Sequence, residues 1–296
     1  MHSVGVVLHP QRDSAEAVDA ILDWARRRGA TVYGIGPEIS RLNCAATAVP
    51  ADELAQRSDL LVSLGGDGTM LRAMRLADGS HTKVLGVNLG KLGFLAEVDV
   101  PDLPMALSAI DDHDYTIEPR LAIDSVVAGQ RVTAFNDIAV VRVPGDGSSA
   151  AVAVRVNEQP FVSYAADAVV VATPTGSTAY SFSAGGPIVS PTVEALLVTP
   201  AAPHSAYNRG LVLSVSDALC LEILTGSGRL AVEVDGQVAG YVATGDMLDV
   251  TPRPAAAQVV RLGRTTFYQR ARRKLRIADS AEISQVKAVP DAVAEI

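Results

Sequence analysis

The sequence has few aromatic residues, few cysteines and no long apolar run, and each shortage narrows the class of protein. Aromatic residues make up 4% of the 296 residues while valine and alanine are abundant, which favours valine-rich buried strands covered by helices. No apolar run reaches the length of about 18 residues at which a membrane span is expected. We therefore predict a globular protein that does not use a membrane as its partner.

The N-terminus and the two cysteines bear on cellular location. The first residues lack both a charged segment and a small-residue cleavage site, so no signal peptide is predicted. Cys44 and Cys220 are not spaced as a metal-binding pair, which favours free thiols in a reducing compartment. We expect a cytoplasmic protein.

Positive charge is also scarce, because the formal net charge is −8. A protein that binds duplex nucleic acid usually presents a basic face, so we do not expect nucleic acid as a partner. The one basic segment, Arg264–Arg276, has two interpretations. It is either a solvated helix face or a patch that serves an anionic substrate.

The first hundred residues alternate between strand and helix patterns. Asp13 is predicted to cap a helix with Glu16 at the capping-box position, and Gly29 to end that helix. Its apolar face has helical spacing and consists of Val18, Ile21, Leu22 and Ala25. The predicted strands are residues 3–9, 31–35, 59–64 and 83–89. Strands separated by helices indicate a parallel sheet with helices on its faces.

After a further helix at Pro104–Ile110, β-rich segments bounded by Gly, Pro, Asn or Asp follow one another to about Arg253. We therefore predict an α/β N-terminal domain, residues 1–103, and an all-β, sandwich-like C-terminal domain, residues 104–262. The C-terminal segment, residues 263–296, is expected to pack back on the N-terminal domain. Its polar end, residues 279–296, is expected to fray.

The stretch LLVSLGGDGTMLRAM, residues 60–74, reads as a buried strand, a glycine turn and a helix beginning near Thr69. Ligands bind at the carboxyl ends of strands in parallel sheets, and free N–H groups at a helix start suit phosphate. Gly65, Gly66 and Gly68 can take positive φ and let a ligand approach the backbone closely. Asp67 would accept a proton from a hydroxyl, hold Mg²⁺ or do both; the plainer alternative is a helix cap.

A second segment, residues 167–191, is dense in small hydroxyl residues. It reads DAVVVATPTGSTAYSFSAGGPIVSP and contains the aromatic ring of Tyr180. This composition is typical of either a Ser/Thr-rich connection or a site for adenine and ribose. Asn136 and Asp137 lie within an apolar stretch predicted as a strand, where polar groups need partners; these are either neighbouring backbone or ribose hydroxyls. The chain contains neither the P-loop motif nor the Rossmann glycine motif.

Taken together, these motifs resemble the NAD kinase family of bacterial, ATP-dependent type. The resemblance rests on GGDGT at 65–69, NLGKLGFLAEV at 88–98, NDIAV at 136–140, TPTGSTAYSFSAGGPIVSP at 173–191, VTPAAPHS at 198–205 and the FYQRARRKLR segment. It covers about Leu60 to Leu275. GGDGT alone also occurs in lipid kinases and phosphofructokinases, whereas the long TPTGSTAY block is more specific.

The resemblance implies a two-domain fold with the active site between the domains. It implies Mg²⁺-dependent transfer of phosphate from ATP, or polyphosphate, to the 2′-hydroxyl of the adenosine ribose of NAD, giving NADP. It also implies a homodimer or homotetramer. No side chain is assigned as a metal ligand. Two alternatives remain, a kinase of another hydroxyl substrate such as a lipid or sugar, and a non-catalytic dinucleotide-binding protein.

Site residues follow from the resemblance position by position. Asp67 matches the general base, while Gly66, Gly68 and Arg72 match positions at the phosphates. Binding of adenosine and NAD is assigned to Asn136, Asp137, Asp167, Thr175, Thr178, Ala179, Tyr180, Ser183, Ala202 and Gln237. Asp167 matches an acid that in some members reaches NAD from a neighbouring subunit. It is flanked here by Ala166 and Ala168 where the family has glycines, and alanine at positive φ would be strained by roughly 1 kcal/mol.

Overall fold

A computed structural model describes residues 1–90, 93–204 and 207–278. The polar end predicted to fray, residues 279–296, lies outside the described residues. Both cysteines are free thiols. No helix in the described part of the chain combines the length and apolar character needed to cross a membrane.

The N-terminal part is an α/β unit built on parallel strands. Its strands are β1 Ser3–Leu8, β2 Thr31–Ile35, β3 Thr47–Val49, β4 Leu60–Gly65, β5 Lys83–Asn88 and β6 Val98–Asp99. Its helices are α1 Ala15–Arg28, α2 Gly36–Leu42, α3 Ala51–Leu54, α4 Asp67–Ala77 and α5 Leu103–Asp111. The order β3-β2-β1-β4-β5 is parallel throughout, so the carboxyl ends of β1 and β4 meet at one edge, where α4 begins.

The C-terminal part is rich in antiparallel strands. They are β7 Thr116–Val127, β8 Gln130–Ala134, β9 Asp137–Arg142, β10 Ala150–Val156, β11 Gln159–Ala166, β12 Ala168–Ala172, β13 Ala195–Ala201, β14 Leu211–Ser214, β15 Leu219–Ile223, β16 Leu230–Val234, β17 Gln237–Val242 and β18 Met247–Arg261. The helices of this part are α6 Tyr180–Ser183 and α7 Phe267–Leu275. The predicted combination of an α/β domain and a sheet-rich β domain is confirmed.

Two layers of sheet enclose the core of the β part. The six-stranded layer has the order β14-β13-β12-β9-β16-β17, and the facing layer runs β11-β10-β15-β18. Valine, leucine and isoleucine from both layers form one buried cluster, including Val140, Val152, Val171 and Leu221. Burial of such side chains supplies the main favourable free energy of folding.

The longest strand, β18, joins the two parts of the molecule. It pairs antiparallel with β15 and β7, and its end pairs parallel with β5 through Gln258 and Val259. The parallel and antiparallel strands therefore form one continuous sheet, which fixes the Asp67 turn relative to the β part.

Two local predictions were wrong. Helix α1 has Ser14 at its N-cap with no side-chain cap bond, and Asp13 instead accepts a hydrogen bond from the Ala15 N–H, so the capping box with Glu16 does not form. The stretch 131–143 is not one strand, because pairing stops at Ala134 and resumes at Asp137. The apolar face of α1 is buried as predicted, and Gly29 ends the helix at φ 66°.

Candidate active site

Asp67 is the first residue of α4, directly after the Gly65–Gly66 turn that ends β4. Its Oδ1 accepts hydrogen bonds from the N–H groups of Phe94 and Leu95, both at 3.0 Å, and its Oδ2 lies 2.8 Å from Lys274 Nζ. A side chain at Gly93 would collide with the same carboxylate. The position of the carboxylate is therefore fixed by neighbouring backbone, while 27% of the side chain stays exposed.

A pocket of about 530 Å³ opens beside this carboxylate, and we call it the phosphate pocket. Its lining residues are His9, Pro10, Arg12, Gly66, Asp67, Gly68, Thr69, Arg72, Arg75 and Gln237. Three arginines and the amino end of α4 give it a positive potential that suits anions. His9 Nδ1 accepts the N–H groups of Gln11 and Arg12, and burial followed by the charges of Arg12 and Arg41 lowers the His9 pKa.

Arg72 lines the phosphate pocket and already has partners within the protein. It pairs with Glu38 and donates to the Leu8 carbonyl at 3.3 Å, while Glu38 accepts the Leu8 N–H at 2.9 Å. These bonds hold the guanidinium at the carboxyl end of β1. Arg72 lines the pocket together with Arg12 and Arg75.

The glycines of the turn do not use the positive φ that is open to glycine. None of Gly65, Gly66 and Gly68 has positive φ, and Gly66 is extended at φ −117°. A Cβ at Gly65 would collide with the Thr69 side chain, so Gly65 is needed for packing. A Cβ at Gly66 or Gly68 would meet no atom within 4 Å. Positive φ is not needed in this turn, because extended backbone at Gly66 already lets β4 enter α4.

Arg75 connects the phosphate pocket to the β part. Its Nε lies 3.6 Å from Oδ2 of Asp235, whose side chain is fully buried in the turn between β16 and β17. Asp235 accepts the N–H groups of Phe135, Asn136 and Asp137 at 3.2, 2.7 and 3.3 Å. This carboxylate explains the break between β8 and β9, because it takes the backbone donors that a strand would use.

Asp137 is 3% exposed and lies against two other carboxylates. Burial, and then the charge of Asp235, raise the pKa of Asp137 to about 7, although the Tyr180 N–H donates to it. Near neutral pH this carboxyl group therefore exists in both forms and can donate or accept a hydrogen bond.

The hydroxyl-rich segment, residues 173–186, divides into two sets of side chains. Thr173, Ser177 and Ser181 are buried and bonded within the protein, to the Phe135 carbonyl, the Pro174 carbonyl and Thr199 respectively. Gly176 allows the loop to lie directly on the Asn136 carbonyl. Part of the hydroxyl density is thus structural, and it fixes the loop against the end of β9.

The second set faces outward around Tyr180. Thr178, Ala179 and Tyr180 are half-buried and Ser183 is exposed. Burial, followed by the charges of Glu233, Asp167 and Asp137, raises the pKa of Tyr180, which places Asp167 and Asp137 near the same ring.

Asp167 stands between β11 and β12 and pairs with Arg142 at 2.6 Å, with 43% of its side chain exposed. The alanines beside it, Ala166 and Ala168, have no positive φ, so no strain arises where the family has glycines.

The other predicted residues have different surroundings. Thr175 is buried, and its hydroxyl accepts a hydrogen bond from Arg120 at 3.1 Å. Ala202 is exposed in the left-handed region at φ 47°. Gln237 is exposed and lines the phosphate pocket, two residues after Asp235. The side chain of Asn136 is half-buried beside Asp235.

Several residues of the site were missed from the sequence. Arg75 is three residues after Arg72, the spacing that puts two side chains on one helix face. Asp235 belongs to an Asp-Gly turn between two strands, which predicts a hairpin but not a buried carboxylate. Lys274 lay within the basic segment, and its contact with Asp67 across the fold had no local signal.

A magnesium ion bound with nucleotide is compatible with these residues. In residues 1–90, 93–204 and 207–278 no three His, Cys, Asp or Glu side chains are grouped so that they could hold a metal ion. Mg²⁺ at phosphoryl-transfer sites is commonly held by one or two carboxylates together with the substrate phosphates. Asp67 is the carboxylate in the phosphate pocket that would complete such a set.

Comparison with known proteins agrees with this geometry. The ATP-NAD kinase N-terminal domain matches residues 4–115, and the ATP-NAD kinase C-terminal domain matches residues 135–262. A protein named NAD kinase from Heliobacterium modesticaldum is 39% identical over 285 residues, covering 93% of this chain and 99% of that protein. NAD kinase 1 from Streptomyces avermitilis is 36% identical over 327 residues, covering 97% and 91%.

Two solved structures have the same fold. Yeast NADH kinase complexed with NADH matches with a TM-score of 0.80 and 26% identity, over 93% of this chain and 87% of that one. An NAD kinase from Archaeoglobus fulgidus in complex with ATP matches with a TM-score of 0.71 and 25% identity, over 93% and 98%. The chain therefore belongs to the ATP-NAD kinase family and is an ATP-dependent kinase that phosphorylates NAD to NADP.

Proposed function

We propose that the transfer takes place between the phosphate pocket and the outward set of the hydroxyl-rich segment, with Asp67 as general base. The observation that carries this proposal is the chain of contacts from the pocket to the loop. Arg75 of the pocket pairs with Asp235, and Asp235 holds the backbone of Asn136 and Asp137 beside Tyr180.

In the proposed reaction Asp67 accepts the proton of the 2′-hydroxyl of the adenosine ribose. The hydroxyl oxygen bonds to the γ-phosphorus of ATP, and the bond to the β-γ bridging oxygen breaks, which releases ADP and NADP. A lone carboxylate would repel the phosphates, but the Lys274 ammonium at 2.8 Å and the arginines of the pocket offset its charge. Mg²⁺ is proposed to arrive with ATP and to neutralise phosphate charge.

The NAD side of the site is assigned by side-chain chemistry. Asp137 and Asn136 are proposed to bind ribose hydroxyls, and the Tyr180 ring to lie against the adenosine. Thr178, Ala179 and Ser183 would complete the wall, with Asp167, Ala202 and Gln237 at its edges. Thr175 is proposed to contribute by fixing the position of the loop, because its hydroxyl is bonded to buried Arg120.

An NADP-coupled assay tests this function. Protein, MgATP and NAD should yield NADP, detected with a dehydrogenase specific for NADP, and calorimetry should detect NAD binding without ATP. Omission of Mg²⁺ should abolish turnover. Polyphosphate in place of ATP forms a separate arm that distinguishes the two phosphate donors. NAD binding without NADP formation from either donor would overturn the enzyme assignment in favour of a dinucleotide-binding protein.

The domain limits, assembly and location remain our proposals. We assign residues 1–103 and 104–262 to the two domains. We propose that the C-terminal segment 263–296, of which residues 279–296 lie outside the described residues, packs on the first domain, and the Lys274–Asp67 contact supports this. A homodimer or homotetramer is supported by exposed apolar residues on the outer strands β14 and β17, namely Val212, Val238 and Tyr241. A monomer by light scattering at micromolar concentration would contradict it. A cytoplasmic location agrees with the free thiols and is checked by cell fractionation.

A further inference from the structure

Three arginines are buried together where α7 meets β7 and β18. Arg120, Arg261 and Arg270 are 1%, 8% and 2% exposed. Glu118 and Glu97 supply negative charge beside these arginines. Asp67 also contributes negative charge, but its ion pair with Lys274 already balances it. The group therefore has one positive charge in excess. Buried charges without a partner are costly, so an uncompensated guanidinium inside a protein calls for an explanation.

Two hydrogen-bond donors of this group have no partner. Arg120 Nε and Arg261 Nη2 are buried and make no hydrogen bond with the residues that the structure describes. Their other donors are used, since Arg261 Nε donates to Glu118 at 2.9 Å and Arg120 Nη1 donates to Thr175 at 3.1 Å. Burial, and then the charge of Arg261, lower the pKa of Arg120 to about 10. The residues that the structure describes therefore do not satisfy this group by themselves.

A pocket of about 350 Å³ reaches two of these arginines from the surface. Arg261 and Arg270 line it, and so do Glu97 and Glu118, the two carboxylates already counted against the three arginines. Thr192 is among the other lining residues of the pocket. It shares no lining residue with the phosphate pocket beside Asp67. The volume is sufficient for a phosphate or a small dicarboxylate.

We propose that this second pocket is a binding site for a small oxyanion, held by the guanidinium groups of Arg261 and Arg270. Guanidinium groups match the paired oxygens of phosphates and carboxylates, and an anion would balance the excess charge. One peptide group separates this site from the Asp67 carboxylate. Arg270 Nε donates to the Phe94 carbonyl at 3.1 Å and Arg261 Nη1 to the Leu95 carbonyl at 2.8 Å, and the N–H groups of these residues bind Asp67.

The test is calorimetric titration of inorganic phosphate, and separately of succinate, into the protein. The protein is first saturated with NAD and a non-hydrolysable ATP analogue, so that the phosphate pocket is occupied. Sodium chloride at equal ionic strength is the control titrant. We expect one site for phosphate, for succinate or for both, and the tighter ligand identifies the chemical source of the anion.

A matched pair of variants locates the site. Thr192 is exposed at the rim of the pocket and is bonded only to Ser190 in the described structure, so substitution there leaves the buried arginines intact. Thr192→Glu should weaken anion binding by at least about tenfold, because a tethered carboxylate repels the anion and pairs with the arginines. Thr192→Gln has the same size without the charge and should bind as wild type does. Absence of binding in wild type, or binding unchanged in Thr192→Glu, would overturn the proposal.

Discussion

The phosphate pocket and the hydroxyl-rich segment, which we propose as the two walls of one site, are built by opposite means. The pocket uses permanent charge, with Arg12, Arg72 and Arg75 around a single carboxylate. The segment uses small side chains, of which the buried hydroxyls hold the loop and the outward ones remain available. Charge attracts a polyphosphate wherever its oxygens lie, whereas a wall of small groups selects by shape. The difference suits a phosphate donor that is recognised by its charge and a phosphate acceptor that is recognised by its sugar and base.

The largest effect is expected from a substitution at Asp67, which removes the proposed base from the phosphate pocket. Asp67→Asn should lower turnover by about 100- to 10,000-fold while NAD binding is retained, because the amide cannot accept the hydroxyl proton. Steady-state kinetics and NAD calorimetry on one preparation measure both quantities. A turnover within threefold of wild type would exclude Asp67 as general base.

A control separates chemistry from position at Asp67. The substitution also removes the ion pair with Lys274, so Lys274→Gln serves as the matched variant. If Asp67 acts as base, Lys274→Gln should retain far more activity than Asp67→Asn. Equal losses in the two variants would assign the effect to the ion pair.

The second prediction concerns the acidic group behind the hydroxyl-rich segment. The folded-state pKa of Asp137 is raised to about 7, above that of an unfolded aspartate, so its favourable contribution is complete at low pH. That contribution is lost as pH rises from about 4 to about 7. Asp137→Asn removes the titration, and its free energy of unfolding should gain on wild type by up to about 4 kcal/mol between pH 4 and pH 8.

Denaturant unfolding of wild type and Asp137→Asn at pH 4 and pH 8 measures this difference. Asp235 remains in both proteins, which makes the comparison specific to Asp137. A stability difference that is the same at both pH values would mean that Asp137 is ionised throughout, and the segment would then carry permanent charge as the phosphate pocket does.

The third prediction asks whether the two walls serve different ligands. Tyr180→Ala should weaken NAD binding by about tenfold, the size expected for loss of a half-buried ring contact, and ATP binding by less than twofold. Tyr180→Phe keeps the ring and should bind NAD within about threefold of wild type. Calorimetry with each ligand measures both. Equal losses for NAD and ATP would place Tyr180 on a shared or purely structural surface.

The sequence predicted the motifs whose local composition is itself enough to indicate a function. Strand β4, the turn and α4 follow from the apolar pattern and the glycine content. Asp67 is the ionisable residue of that turn, and Tyr180 is an aromatic residue within the hydroxyl-rich segment. The contacts of Asp67 could not be predicted, because Lys274 lies 207 residues away along the chain. Asp235 was missed for a similar reason, since an Asp-Gly turn predicts a hairpin whatever its carboxylate binds.

The separate roles of the glycines in the turn could not be predicted from the sequence. Glycine can take positive φ, but the backbone at Gly66 is extended and needs no special conformation. Backbone dihedrals depend on how β4 and α4 pack, which a short motif does not encode. Gly65 is required for packing against Thr69, while Gly66 and Gly68 border open space in the phosphate pocket. The motif thus combines a structural glycine with glycines that leave room.

The smallest expected effect comes from that contrast. Gly68→Ala adds a Cβ that meets no protein atom within 4 Å and faces no positive φ, so the melting temperature should not fall. The same Cβ occupies space at the start of α4 where phosphate would approach the backbone N–H groups, and kcat/KM for ATP should fall by about tenfold. Gly65→Ala is the matched control. Its Cβ collides with Thr69, so it should lower stability, as overpacking does by roughly 1–3 kcal/mol. If Gly68→Ala keeps wild-type kinetics, the open space beside Asp67 is not where phosphate binds, and the charge of the arginines would have to position the donor without the turn.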